Sequence, residues 1–231
     1  PVEYQLEGTS QIQIRADIGL TFARGLRSIL RQDPDIILVG EIRDSETAEI
    51  AIRAALTGHL VLSTLHTNDS VGAVNRLVDM EVEAYLVAAS LVAALAQRLV
   101  RKICPHCKEE DADLNPRIRN EIAQVTGLAP TEFTTWRGRG CTECSGSGYR
   151  GRLAIFELFL LDEEIQDMIC AHASTSELRR SARERGMHTL REDGWSKVIA
   201  GKTTAEEVAR ITGTHQLSYE VPPEVLEGET A

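Results

Sequence analysis

Aromatic side chains are scarce in this sequence: two Trp, four Tyr and four Phe make up 4% of 231 residues. A core with so few rings has to be built from aliphatic side chains. No apolar run is long enough to cross a bilayer, since the most apolar stretch, residues 84–95, holds about a dozen residues where a spanning helix needs about 20. The first residues lack a basic stretch followed by an apolar one, so no signal peptide is expected among them. Positive charge is in deficit, with 25 Lys and Arg against 35 Asp and Glu and a formal net charge of -10. That balance argues against broad electrostatic binding of nucleic acid, and no nucleic-acid partner is expected. The pattern G-x-x-x-x-G-K-[ST], which cradles nucleotide phosphates with backbone N–H groups and a lysine, occurs nowhere in the chain.

What is present is a globular composition, 42% hydrophobic and 26% charged. Gln11 to Arg15 alternates and reads as a short strand. Leu20 to Arg31 has apolar residues at helical spacing and stops at Asp33-Pro34. Ile36-Ile37-Leu38-Val39 is continuous and β-rich, the pattern of a strand buried on both faces of a parallel sheet. Ser45 to Thr57 reads as a helix, Leu60 to Leu65 as a second buried strand, Ser70 to Met80 as a helix and Val82 to Arg101 as a longer helix. Strands alternating with helices of this length define the α/β class.

Composition changes near residue 102, where Cys, Gly and charge become frequent. A helix is expected near Arg117 to Val125 and a strand over Leu153 to Leu160. Four helices follow over Asp162 to Ala173, Ser176 to Arg185, Leu190 to Ala200 and Thr204 to Thr212. Ser176 and Thr204 are the expected N-caps, and Gly186, Gly201 and Gly213 the expected C-terminal stops. The expected division is an α/β core over 1–102, a cysteine-bearing insert over 103–150, a strand and helices over 151–217, and a disordered tail over 218–231.

Two places carry residues suited to chemistry. In Asp35 to Asp44, Glu41 emerges at the carboxyl end of a strand, where open α/β sheets place their ligands. A carboxylate there can hold magnesium, directly or through water, or orient an attacking water. An ordinary strand followed by a solvated acidic turn has the same pattern. The next strand is bracketed by His59 and His66, with Thr64, Thr67 and Asn68 crowding the edge from which Glu41 emerges. A histidine donor at that edge can contact a γ-phosphate. Arg24, Arg27 and Arg31 share one helix face, and either that face is simply solvated or one of the three reaches nucleotide.

The second place is Cys104-Pro-His-Cys107 and Cys141-Thr-Glu-Cys144, separated by residues 108–140. Two C-x-x-C pairs in a chain without secretory signals point to a metal in a reducing compartment, not to disulfides. Four thiolates give a closed tetrahedral site that favours zinc, or less often iron–sulfur, and a closed site is structural. Gly140, Gly146 and Gly148 permit the turns such knuckles need. His106 sits between two ligands as a spectator, and Cys170 is expected in the core beside Ile165 and Ile169. A nucleic-acid-binding zinc module is disfavoured, since only Trp136 and Tyr149 lie near the surrounding arginines and the chain is acidic overall. Glu157, polar within an apolar strand, is expected to pair with an arginine such as Arg152.

Together these segments resemble the type II/type IV secretion ATPase family. Asp33 to Asp44 resembles its Walker B segment and Thr57 to Asn68 its histidine box. Phe22 to Arg31 resembles the stretch between its aspartate box and Walker B, and Pro1 to Tyr4 the end of the aspartate box. Gly148 to Leu158, Met187 to Gly194 and Gly201 to Val208 resemble its closing strand and helices. The resemblance implies a RecA-like P-loop ATPase core, here without its P-loop, a tetracysteine zinc insert and C-terminal helices. It implies a homohexamer that uses ATP and Mg2+ between subunits, with structural Zn2+ on Cys104, Cys107, Cys141 and Cys144. Glu41 would be the Walker B acidic residue, His66 the γ-phosphate sensor and His59 its support. Arg24, Arg27, Arg31 and Arg43 would neutralise phosphate charge.

The implied role is a cytoplasmic motor, peripheral to the inner membrane through platform and cytoplasmic-domain proteins. It would drive pseudopilus assembly and protein export across the outer membrane. Pilus extension is the alternative within the family, and a non-catalytic zinc-binding interaction module is the alternative outside it. The family keeps its phosphate-binding loop and a water-activating glutamate upstream of the segment that Pro1 resembles. The chain therefore reads as a fragment with negligible ATPase activity on its own.

Overall fold

The computed structural model describes residues 2–213. Pro1, at the start of the segment likened to an aspartate box, and the expected tail over 218–231 lie outside the described residues. In chain order the elements are α1 (Phe22–Leu30), β1 (Ile36–Val39), α2 (Ser45–Leu56), β2 (Leu60–Ser63), α3 (Gly72–Asp79), α4 (Ala84–Ser90), β3 (Ala93–Ile103), β4 (Lys108–Glu110), α5 (Pro116–Thr126), β5 (Trp136–Gly138), β6 (Tyr149–Leu160), α6 (Glu163–Cys170), α7 (Thr175–Glu184), α8 (Leu190–Ile199) and α9 (Ala205–Thr212). The described residues form two units, one from 2–96 and 158–187 and the other from 97–157 and 188–213.

The first unit is built on β1 and β2, which pair in parallel with Ile36 opposite Leu60 and Val39 opposite Ser63. Ile37 and Val39 are buried among Leu26, Ala48, Ile52, Val71, Val74 and Val87, with Phe159, Ile165, Ile169 and Leu178 completing the core. The core is mostly aliphatic, with Phe159 buried in it and Phe22 partly buried against it, as the aromatic shortage requires. The expectation of strands buried on both faces is corrected here. Ile36 is 63% exposed and Leu38 72%, and Leu60 and Leu62 are exposed beside them. One face of the parallel pair is packed and the other is an open apolar surface.

Helix starts follow their capping residues. Thr21 accepts the Arg24 N–H ahead of α1, and Asp44 accepts the Thr47 N–H at 2.8 Å ahead of α2. Ser174 with Glu177, and Thr189 with Glu192, form reciprocal capping boxes for α7 and α8. Each such cap is worth about 1 kcal/mol. The cap of α7 is thus Ser174, not the expected Ser176, because Glu177 stands three residues after Ser174 and completes the box. Gly186, Gly201 and Gly213 follow their helices with φ of 91°, 63° and 63°.

Three further expectations are corrected. Val82 to Arg101 is not one helix: α4 ends at Ser90 and β3 begins at Ala93. Along β3 the even-numbered residues Ala96 and Val100 are buried, and Leu95, Gln97 and Leu99 are exposed. Pairing with β6 gives this segment a two-residue period that overrides its good helix formers. Gln11 to Arg15 is not a strand, beyond a single bridge from Arg15 to Leu20. The side chains of Gln11 and Gln13 instead accept the Leu6 and Val2 N–H groups, both at 2.8 Å, in a local alternative to a ladder. Cys170 is exposed, because it lies one residue, and so about 100°, beyond the stripe that buries Ile165 and Ile169.

The second unit has its own core of Ile122, Phe133, Trp195, Val198, Ala205 and Val208. Trp195 Nε1–H donates to Glu121 at 3.1 Å, and Arg191 binds the same carboxylate. Glu157 is buried and accepts the Leu190 N–H at 3.2 Å, tying β6 to the start of α8. Glu207, fully buried, accepts from Arg101 Nη2 at 2.6 Å, from the Arg101 N–H at 3.1 Å and from Arg210 Nε at 3.0 Å. Burial works against the charge on Glu207, but Arg101 and Arg210 outweigh it and hold the carboxyl below its usual range.

Candidate functional sites

The carboxyl ends of β1 and β2 lie side by side because the pairing continues past the strands. The Thr64 hydroxyl donates to Gly40 O at 2.7 Å, and the Ile42 N–H donates to Thr64 O at 3.1 Å. Glu41 stands between those two anchors on one chain, and His66 follows Thr64 on the other. His66 Nε2 lies 3.1 Å from Glu41 Oε2, and Arg43 Nε donates to the same oxygen at 2.5 Å. The Glu41 side chain is 14% exposed and that of His66 is 76% exposed, so a mostly sheltered carboxylate is lidded by an accessible ring. The Arg43 hydrogen bond, and after it that of His66, hold Glu41 below the usual carboxylate range against the opposing effect of burial. An ionised carboxylate beside an imidazole at a strand terminus is chemically suited to a hydrated divalent cation and its phosphate.

The other residues singled out from the sequence fall in different places. His59 sits at the opposite end of β2 from His66, its Nδ1 2.9 Å from Ala54 O and 3.2 Å from Thr57 Oγ1, where it closes α2. On α1, Arg27 pairs with Glu46 at 2.7 Å with both side chains more than half exposed. Arg31 donates to Ser28 Oγ at 3.3 Å, and Arg24 is exposed. The arginine on Glu41 is Arg43. Sequence reasoning passed over Asp69, whose only signal was its place three residues before Gly72 at a helix start.

The four thiols of Cys104, Cys107, Cys141 and Cys144 lie within 4.8 Å of one another. Cys104 is 3.9 Å from Cys141, Cys107 is 3.9 Å from Cys144, and Cys141 is 3.7 Å from Cys144, measured between sulfurs. Thiolates at about 2.3 Å from a tetrahedral ion would stand about 3.8 Å apart, so the cluster has the dimensions of a zinc site. The antiparallel pairing of β4 and β5, with Lys108 opposite Gly138, brings the two knuckles together. A Cβ on Gly138 would lie 2.0 Å from Gly148 O, so only glycine permits that approach. Gly140, Gly146 and Gly148 all have positive φ, as expected of knuckle turns.

Backbone N–H groups already face the sulfurs. Gly140 donates to Cys107 at 3.3 Å, and Cys141 and Gly148 each donate to Cys144 at 3.2 Å. Burial pushes the Cys107 thiol up to about 12. Burial also opposes ionisation of Cys144, but its two N–H donors bring it down to about 6. A bound zinc would take all four as thiolates and, with no open position, would serve structure alone.

The family described as type II/IV secretion system protein matches residues 1–210. The type II secretion system protein E of Pseudomonas aeruginosa is 52% identical over 213 residues, covering 92% of this chain and 41% of that protein. The type IV pilus assembly ATPase PilB of Thermus thermophilus is also 52% identical, over 215 residues that cover 92% of this chain and 24% of that protein. Among solved structures, the pilus retraction motor PilT with bound ADP is similar at a TM-score of 0.56 and 26% identity, covering 90% of this chain and 46% of that one. The ATPase DotB of Legionella pneumophila shares the fold at a TM-score of 0.60 and 23% identity, over 91% of this chain and 49% of that one. The chain spans less than half the length of these relatives.

Proposed function

We propose, from the premise that this chain belongs to the type II/IV secretion system protein family, that it is the Walker B, histidine-box and zinc-bearing part of a secretion motor ATPase. The observation that carries this reading is the pair of Glu41 and His66 at the carboxyl edge of two parallel strands. Glu41 would hold magnesium through water, and His66 would face the γ-phosphate of ATP. His59 would brace the start of β2 from behind. Arg43, released from Glu41, and one or more of Arg24, Arg27 and Arg31 would meet phosphate charge in the same subunit or a neighbour. Zinc on the four cysteines would hold the second unit together.

The open face of β1 and β2 supports a larger RecA-like sheet than these two strands provide. A parallel sheet is covered on both faces, and Ile36, Leu38, Leu60 and Leu62 here are not. The missing cover and the missing phosphate-binding loop would come from the same upstream part of the motor. In that reading the complete protein is a homohexamer in the cytoplasm, held at the inner membrane by partner proteins, and it drives pseudopilus assembly for type II secretion. Pilus extension is the second reading, and the equal 52% identity to a pilus assembly ATPase favours it no less.

The test is magnesium-dependent ATP turnover by the 231-residue chain alone and by the chain joined to the upstream part of a type II relative. The expected result is turnover at buffer level for the chain and turnover well above it for the joined protein. Hydrolysis by the chain alone would overturn the assignment of the phosphate-binding role to an upstream loop.

A further inference from the structure

Asp69, in the loop between β2 and α3, makes two bonds at once. Its Oδ1 accepts the Gly72 N–H at 2.8 Å, capping the start of α3. Its Oδ2 accepts Arg179 Nη2, from α7, at 2.5 Å. A Cβ on Gly72 would come within 3.1 Å of Asp69 Oδ1, so the glycine leaves room for the cap. Thr67 Oγ1–H donates to Asp69 O at 2.8 Å and tightens the loop from inside. A second bond joins the same helices, with Asn75 Nδ2 donating to Thr175 Oγ1 at 2.5 Å.

His66 stands between two fixed points. On one side Thr64 is bonded to Gly40, and on the other Asp69 is bonded to α3 and α7. The ring itself is 76% exposed, so packing does not hold it, and its place beside Glu41 depends on the backbone that carries it. The Arg179–Asp69 pair is better sheltered, with side chains 28% and 19% exposed. A sheltered pair is screened less than a surface one, and removing one partner leaves the other charge stranded. Arg179 Nε–H is buried with no hydrogen-bond partner among the described residues. An apolar side chain of similar reach would fill that space without the cost, which marks the bond to Asp69 as the reason for an arginine here.

We propose that Arg179 is a positioning residue for His66: by holding Asp69 it fixes the loop that sets the His66 ring against Glu41. This deepens the reading of the Glu41–His66 edge given above and rests on it for its functional meaning. It also makes α7 the element through which movement of the C-terminal helices of the first unit would reach the histidine.

The test is the nitrogen-15 signal of His66 Nε2 in the zinc-loaded 231-residue chain at one fixed pH. Glu41→Gln, which keeps an acceptor oxygen but removes the carboxylate charge, defines the signal of His66 beside a neutral partner. Arg179→Met is expected to move His66 most of the way to that position, and Arg179→Lys, which keeps the charge, to return it part of the way. Asp69→Asn keeps an acceptor for Gly72 but loses the ionic partner, and it is expected to move the signal in the same direction; it also serves if Arg179→Met fails to fold. Arg185→Met is the control for general loosening, since Arg185 binds Asp162 and Glu164 of the α6 start and not Asp69; it is expected to leave His66 in place. The proposal is overturned if Arg179→Met and Asp69→Asn leave His66 unmoved while Glu41→Gln shifts it, a result that leaves the edge itself standing. If Glu41→Gln also shifts nothing, the pair is absent and both readings fall.

Discussion

Cys104, Cys107, Cys141 and Cys144 complete a ligand set among themselves, with backbone N–H groups already turned toward the sulfurs. Glu41 and His66 have no such closure: they sit at the end of a two-stranded sheet whose outer face is bare. A metal knuckle is a local device, made by short turns and glycine, and it fits within one chain. A nucleotide edge is a property of a whole sheet, and two strands supply only the part of it that their own residues carry. The proposed roles divide in the same way: four thiolates around one ion would leave no room for a reacting molecule, whereas the Glu41 edge is open on the side where His66 is exposed.

The largest effect expected from breaking this comparison is at the four cysteines. Structural zinc is worth about 10–16 kcal/mol in small zinc-folded peptides. Cys144→Ser is therefore expected to abolish zinc binding, measured by metal analysis, and to unfold the second unit before the first in a thermal melt. A smaller effect sharpens the contrast on the sheet. Ile37→Ala empties a buried site and is expected to cost about 2–5 kcal/mol in denaturant titration. Leu38→Ala, on the open face one residue away, is expected to change the stability of this chain by less than about 0.5 kcal/mol. In the protein joined to its upstream part the Leu38→Ala cost should rise toward that of Ile37→Ala, because the face is then covered.

The smallest effect is on pH. The carboxyl of Glu207 titrates below its usual value of 4.5 in the folded chain. Its contribution is thus complete above the unfolded value and is lost as pH falls through the folded one. The second unit should melt at lower temperature in that acid window, and Glu207→Gln should lower stability at neutral pH while flattening the acid loss.

Much of this was legible in the sequence because it is local. The helices around Leu26, Ile52, Ile165 and Leu178 announce themselves by spacing, and the cysteine pairs by their C-x-x-C form. The strand β3 was not legible, because Ala93 to Ile103 is made of good helix formers and becomes a strand only by pairing with β6. The β4–β5 pairing was hidden for a different reason, since three-residue strands carry no period. Glu41 and His66 could be placed on one edge from the strand pattern, but their shared oxygen with Arg43 depends on the Thr64–Gly40 bond, a contact between residues far apart in sequence. Arg179 gave no sign at all, because its partner Asp69 lies in a loop more than a hundred residues upstream.

Glu41 is proposed to serve Mg-ATP at this edge once the phosphate-binding part of the motor is present. The most direct test of that role is kcat for ATP in the joined protein with and without Glu41→Gln. Loss of magnesium positioning should lower kcat by roughly 100-fold with zinc content and assembly unchanged. Full turnover by the Glu41→Gln protein would contradict the account and take the catalytic role away from this edge.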